Sequence, residues 1–171
     1  MPIDGTPGDD TLNGTNGDDI INGLAGNDQI AGLEGNDTID GGEDHDFLRG
    51  QQGNDTIHGG NGDDLIRPGS GDDYADGGSG WDRASYAPTG SDTVTGGVTV
   101  SLLLQGVAQD TGQGMDTLVG IEHLTGTEFD DVLTGDGGDN WLWGGGGVTT
   151  PGTTGNDIID GGGGNDLIEV G

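Results

Sequence analysis

Aspartate recurs at every ninth residue between 10 and 82: Asp10, Asp19, Asp28, Asp37, Asp46, Asp55, Asp64, Asp73 and Asp82. A row of carboxylates at one spacing is an oxygen-only donor array, and its natural chemistry is to hold a cation. Stacked at strand spacing, about 4.8 Å, neighbouring carboxylates repel by roughly 1 kcal/mol in water and by more when partly buried. Three Lys or Arg against 32 acids cannot neutralise them. A divalent metal can. Carboxylate and carbonyl oxygens, without cysteine and with only three histidines, select a hard cation. Flexible glycine-rich turns suit calcium, bound at about 2.3–2.6 Å with variable geometry, better than the strict octahedron of magnesium.

The aspartates belong to a nine-residue frame that opens at 5, 14, 23, 32, 41, 50, 59, 68 and 77. Position 1 is Gly except at Pro68, and position 4 is Gly except at Asp44. Position 6 is the aspartate. Position 8 is apolar throughout: Leu12, Ile21, Ile30, Ile39, Leu48, Ile57, Ile66, Ala75 and Ala84. Positions 1 to 5, rich in Gly, Asn and Asp, are expected to form a tight turn because these residues accept positive φ. Positions 7 to 9 are expected to form a short strand with its middle side chain inward. Turn plus strand, repeated, winds a chain into parallel strands. One aliphatic residue per strand cannot stabilise a coil alone, so coils must stack.

Composition alone points elsewhere. The 171 residues include 42 glycines and 27% hydrophobic residues, with a formal charge of −29. So little apolar surface would ordinarily leave a chain disordered; the unbroken register argues against that. Such acidity repels phosphate backbones and anionic lipid, so neither nucleic-acid binding nor membrane insertion is expected. The absence of cysteine excludes disulfides and thiolate metal sites. No apolar run approaches the roughly 18 residues of a membrane span. The opening "MPIDGTPGDD" lacks the basic and apolar regions of a secretory signal peptide.

Three segments are expected: a first repeat block over 1–85, an irregular β spacer continuing the roll over 86–125, and a second, degenerate block over 126–171. In the spacer, "TGQGMDTLV" puts Asp116 and Leu118 at positions 6 and 8. "GIEHLT" reads as a repeat lacking three turn residues, with Leu124 inward. In the second block Asp131, Asn140, Asp157 and Asp166 occupy position 6, and "GGGGVTTP" (144–151) interrupts the beat. His45, His58 and His123 read as surface residues. Trp81, Trp141 and Trp143 read as packing at block ends, with a sugar-stacking platform as the alternative. The Asn-x-Thr triplets at 13, 36 and 54 lie inside the repeat and carry no further meaning. No Ser-His-acid set, phosphate loop or helix-borne metal motif occurs, so no catalytic centre is expected.

The motif resembles the Gly-Gly-x-Gly-x-Asp-x-U-x nonapeptide of the RTX (repeats-in-toxin, hemolysin-type) family, strictly over 5–85, well over 126–143 and 152–169, and loosely between. The resemblance implies an all-β, right-handed parallel β-roll with two nonapeptides per coil and calcium between repeats n and n+2. It implies ligands from both aspartates, from the carbonyls of positions 2 and 4 of repeat n, and from positions 1 and 3 of repeat n+2. One site would then use the carbonyls of Leu33, Gly35, Gly50 and Gln52 with Asp37 and Asp55. Another would use Gly60, Gly62, Gly77 and Ser79 with Asp64 and Asp82. Across the array the implied glycine ligands are Gly8, Gly17, Gly26, Gly35, Gly53 and Gly62 at position 4. At position 1 they are Gly23, Gly32, Gly41, Gly50, Gly59 and Gly77.

Nine repeats allow 9 − 2 = 7 such pairs, hence about seven calcium ions in the first block. Pro68, Asp44 and Trp81 depart from the pattern locally. In the second block Asn140 lacks the charge and Thr149 stands where an acid belongs. One or two weaker sites, using Asp131, Asp157 and Asp166, are expected there. The family context implies a non-catalytic module of a larger secreted bacterial protein, folding on calcium outside the cell after type I export and supporting neighbouring domains. The ending, inside a repeat, fits a piece of a longer chain. The rival readings are an accessory region of an exoenzyme, such as an alginate epimerase or metalloprotease, and an adhesion module with a glycan or surface ligand. Position 3 shows no regular Thr row, which disfavours ice binding.

Overall fold

The computed structural model describes residues 2–88, 94–145 and 155–170; Thr149 lies outside them. The chain opens with short strands β1 (Ile3–Asp4) and β2 (Thr11–Asn13). Seven six-residue strands follow: β3 (Ile20–Ala25), β4 (Gln29–Glu34), β5 (Thr38–Glu43), β6 (Phe47–Gln52), β7 (Thr56–Asn61), β8 (Leu65–Ser70) and β9 (Tyr74–Ser79). Then come β10 (Arg83–Ser85), β11 (Thr99–Ser101), β12 (Gln109–Asp110), β13 (Met115–Val119) and β14 (His123–Thr125). The last are β15 (Val132–Thr134), β16 (Trp141–Trp143), β17 (Ile158–Asp160) and β18 (Leu167–Glu169).

Successive strands alternate between two faces. One sheet runs β1-β3-β5-β7-β9-β13-β12 and the other β2-β4-β6-β8-β10-β14-β16-β18, while β11-β15-β17 form a third. Ladders are parallel, except that β12 meets β13 antiparallel. Through the regular part each residue pairs with the one 18 positions on, as Ile21 does with Ile39 and Ile39 with Ile57. Two nonapeptides therefore make one coil, and the protein is an all-β parallel β-roll.

The position-8 side chains fill its interior. Ile21, Ile30, Ile39, Leu48, Ile57, Ile66, Ala75 and Ala84 are fully buried, and Leu118, Leu124, Leu133 and Leu142 extend the column. Burying each Ile or Leu stabilises by about 1.5–3 kcal/mol, and each regular coil holds two such position-8 residues. Where the column thins to Ala75 and Ala84, Tyr86, Leu102 and Ile121 of the spacer join the same core.

The spacer inserts without ending the roll. Strand β13 stacks on β9 with Leu118 over Ala75, and β14 stacks on β10 with Leu124 over Ala84. Gln109 ties β12 to β11: its Oε1 accepts the Ser101 amide at 2.7 Å and its Nε2 donates to the Ser101 carbonyl at 3.1 Å. His45 is exposed, with Nδ1 accepting the Asp63 amide at 2.6 Å. His123 sits between Trp81 and Trp141.

One local expectation changes. Strands β3 to β9 do not stop at position 9 but run through positions 1 to 3 of the next repeat, pairing Gly42 with Gly60 and Gln51 with Gly69. Those positions were expected to turn. Pro68 is likewise inside β8, its carbonyl directed at Gly50 as the neighbouring position-1 carbonyls are directed at theirs. The turn proper is reduced to the position-4 bend. There Gly53, Gly62, Gly71 and Gly80 adopt φ between 124° and 147°, and a Cβ would strike the carbonyl of position 4 one coil earlier. Asp44, at φ 77°, takes the same role without glycine's freedom.

Candidate metal centre

The position-6 carboxylates stand in two columns, one for each face of the roll. From Asp28 to Asp82 each uses one oxygen to anchor the coil below. The amide of Asp10 donates to Oδ1 of Asp28, Asp19 to Asp37, Asp28 to Asp46, Asp37 to Asp55, Asp46 to Asp64, Asp55 to Asp73 and Asp64 to Asp82, all at 2.8 Å. Asp28, Asp37, Asp46, Asp55, Asp64, Asp73 and Asp82 are at most 4% exposed, yet the Oδ2 of each has no hydrogen-bond partner among the described residues. A buried, ionised, unpartnered oxygen is strongly unfavourable without a counter-ion.

What lies beside those oxygens is informative. A Cβ built on Gly23 would collide with Oδ2 of Asp28 and with the carbonyl of Gly41 one coil on. The same two atom types converge on Gly32 (Asp37, Gly50), Gly41 (Asp46, Gly59), Gly50 (Asp55, Pro68) and Gly59 (Asp64, Gly77). Position 1 is thus a cradle that must lack a side chain, because a carboxylate and a carbonyl from adjacent coils already face each other over it. The position-4 carbonyls of Gly8, Gly17, Gly35, Gly53 and Gly62 instead pack against position 4 of the next coil. Among the described residues no three His, Cys, Asp or Glu converge. A metal here would have to combine carboxylate with backbone carbonyl, which is the chemistry of a hard cation.

Burial pushes the carboxyl groups upward in pKa, and neighbouring acids add to it: Asp46 to about 7, Asp55 to about 6, Asp73 to about 8 and Asp82 to about 7. Asp28, Asp37 and Asp64 shift in the same direction, again chiefly by burial.

Asp10, Asp19 and Asp131, expected as metal ligands, differ in structure. Thr6 donates its amide (2.6 Å) and hydroxyl (2.9 Å) to Oδ2 of Asp10; Thr15 does so to Asp19 at 2.6 and 2.8 Å. The Thr127 amide donates to Oδ2 of Asp131 and its hydroxyl to Oδ1. Asn140 accepts the Asp136 amide in the same manner. At Asp116 the hydroxyls of Tyr86 (3.1 Å) and Thr111 (2.8 Å) saturate Oδ2. Asp157 and Asp166 face Gly144 and Gly161 with no such cap among the described residues, but they are half-exposed in the last described coil. The capping threonines were legible as Thr at position 2, a signal the nine-residue consensus hides. Glu122 was also missed: its Oε2 accepts the Asp82 amide at 2.9 Å, as a position-6 aspartate would.

Fold and sequence together define a β-roll of the calcium-binding class, with acid columns running along the stacked coils and backbone carbonyls beside them. The family model of the RTX calcium-binding nonapeptide repeat matches residues 4–39, 40–75, 116–150 and 152–171. The chain belongs to that family, and as such is a calcium-binding structural module. No curated protein matches it significantly.

Proposed function

We propose that calcium occupies the turns whose carboxylate is left open, those of Asp28, Asp37, Asp46, Asp55, Asp64, Asp73 and Asp82. The partnerless Oδ2 supplies the charge, and beside Asp28, Asp37, Asp46, Asp55 and Asp64 the position-1 carbonyl of the next coil faces it. In the closed turns of Asp10, Asp19 and Asp131, threonine N–H and O–H groups take the place a cation would fill. The observation that carries this reading is the row of buried Oδ2 atoms without a donor. Calcium supplies the positive charge that lets these carboxylates stay ionised inside the roll.

Occupation and folding are then one event. Seven ions at about ten times their dissociation constants would add about 1.4 kcal/mol each, roughly 10 kcal/mol together, comparable to the whole stability of a small domain. They would also move the formal charge from −29 to −29 + 14 = −15. A chain that folds only where calcium is plentiful fits a non-catalytic, extracellular part of a larger secreted protein. It would stay unfolded in a calcium-poor cytoplasm and support neighbouring domains outside. Circular dichroism in chelator and then in excess calcium tests the coupling. The strand spectrum is expected to appear with calcium; a spectrum unchanged by chelation overturns the reading.

A second reading, glycan or surface binding, draws on Trp81, 52% exposed and stacked on His123 beside Arg83. A glycan array probed in calcium decides it: binding abolished by W81A supports adhesion, and no binding retires it.

A further inference from the structure

The regular frame ends at Ser85, and its last aspartate, Asp82, has no nonapeptide one coil further on along the sequence. What stacks there instead is the six-residue stretch 120–125, in which three turn residues are missing. Register shows what replaces what. Leu124 pairs with Ala84, so Glu122 falls at position 6 and Gly120 at position 1. The His123 amide donates to the Asp82 carbonyl at 3.0 Å, as the position-7 amide of Arg83 does to Asp64. The Asp82 amide donates to Oε2 of Glu122 at 2.9 Å, as that of Asp64 does to Asp82. A Cβ on Gly77 would meet the Gly120 carbonyl, as one on Gly23 or Gly59 meets the position-1 carbonyl of the next coil, and it would also meet Cβ and Cγ of Asp82, where those glycines meet the aspartate Oδ2. Asp82 is 0% exposed and its Oδ2 is without a partner. On the opposite face the matching place at Asp116 is closed by the Tyr86 and Thr111 hydroxyls; among the described residues no such donor reaches Oδ2 of Asp82.

We propose that Glu122 acts as a surrogate position-6 carboxylate and that Asp82, Glu122 and the Gly120 carbonyl form a calcium site at the shortened turn. The site carries the cation column of the β4-β6-β8-β10 face across the insertion and onto β14. The glutamate's extra methylene reaches the Asp82 amide from a turn three residues shorter than the rest. This inference rests on the reading of open turns as calcium sites, and adds a residue that the nonapeptide motif does not contain.

Calcium titration calorimetry of the full chain and of E122Q tests it. Glutamine keeps an oxygen that can accept the Asp82 amide but removes the charge. The variant is expected to bind one ion fewer, or to hold one at least tenfold more weakly, with the other sites retained. An unchanged ion count and unchanged affinities overturn the assignment of Glu122 and leave the other open turns standing. A parent chain that binds no calcium overturns both. Crystals of the unaltered chain grown in calcium give a check that does not depend on a variant folding. An anomalous peak between Asp82 and Glu122 is expected, and regular peaks elsewhere with none at this turn overturn the inference.

Discussion

The open turns along β3 to β9 and the closed turns at Thr6, Thr15 and Thr127 carry the same position-6 aspartate in the same frame, and the closed turn at Asp136 carries Asn140 there, yet open and closed turns treat that side chain oppositely. In the open turns position 2 has positive φ in every case: Leu24 and Leu33 at 87°, Gln51 at 80°, and Gly42, Gly60, Gly69 and Gly78 between 96° and 115°. Strands there run six residues, and the carboxylate keeps a free oxygen. In the closed turns position 2 turns its own amide onto the position-6 side chain, and the preceding strand, β1, β2, β14 or β15, is only two or three residues long. Threonine is β-branched and resists positive φ, while its hydroxyl offers a second donor. One backbone angle at position 2 thus separates these two kinds of turn, whereas the spacer closes Asp116 by another route: Gly112 at position 2 has φ 87° and the Tyr86 and Thr111 hydroxyls fill the place.

The largest effect that separates the two kinds of turn is one of pH in chelator. Without metal, burial raises Asp46, Asp55, Asp73 and Asp82 from the ordinary 3.8 to about 7, 6, 8 and 7. The folded roll then binds protons more tightly than the unfolded chain. Its stabilisation is fully present below pH 3.8 and is lost as pH rises through 6 to 8. Acidifying the metal-free chain from pH 8 to pH 5 is expected to restore strand signal by circular dichroism. In calcium the sign reverses, because protons compete for the same oxygens and apparent affinity falls below about pH 7. Loss of strand signal on acidification in chelator would sink the idea that open turns are held apart by unpartnered charge.

Next in size is a single carboxylate of each kind. Asp64→Asn removes a buried charge from an open turn. Metal-free stability should rise, while in calcium the melting temperature should fall as about 1.4 kcal/mol of binding linkage at ten times the dissociation constant is lost. Asp10→Asn in a closed turn should cost about 1 kcal/mol in both conditions, since only a charge-assisted hydrogen bond is weakened. Thermal melts of both variants with and without calcium make the check. A change of the same sign for Asp64→Asn in both conditions would erase the distinction.

Much of this was legible from residue types alone. The column from Ile21 to Ala84 faces inward because a period-two strand centred on position 8 leaves no alternative, and Leu124 follows from the same rule. The aspartate columns follow once 18 residues make a coil, a count that came from the family resemblance and not from residue types. The length of the strands did not, because it depends on the sign of φ at position 2, and Leu24, Leu33 and Gln51 adopt a conformation their side chains disfavour. Stacking supplies the reason: Leu33 pairs with Gln51 and Leu24 with Gly42 in continuous ladders that enforce it. Nor was Glu122 legible, since its role appears only once Leu124 is paired with Ala84 and the count runs back two residues.

Converting a closed turn to an open one is a smaller test of the same comparison. Thr15→Gly removes the hydroxyl that caps Asp19 at 2.8 Å and frees position 2 to adopt positive φ. Calorimetry should then count one more calcium ion than in the parent, with the turn lying below Gly32, whose carbonyl already faces Gly14. An unchanged count would show that position 2 does not control access to the carboxylate.

The smallest effect comes from an open turn that already carries the wrong residue. Leu33 holds φ 87°, where an L side chain costs roughly 1–2 kcal/mol, and glycine adopts that angle freely. Glycine also loses more entropy on folding, by about 0.5–1 kcal/mol, so the two terms nearly cancel in a turn that is free to choose its conformation. Here the angle is imposed by pairing with Gln51, and relief of strain should win by about 0.5–1 kcal/mol. For a chain of this size that is a rise of about 1–4 °C in calcium. Leu33→Thr should move the other way, because threonine pulls the turn toward the closed form and Asp37 loses its ion. The pair of melts therefore reads the sign of φ at one residue, and equal melting temperatures for Gly, Leu and Thr at position 33 would place the switch somewhere other than position 2.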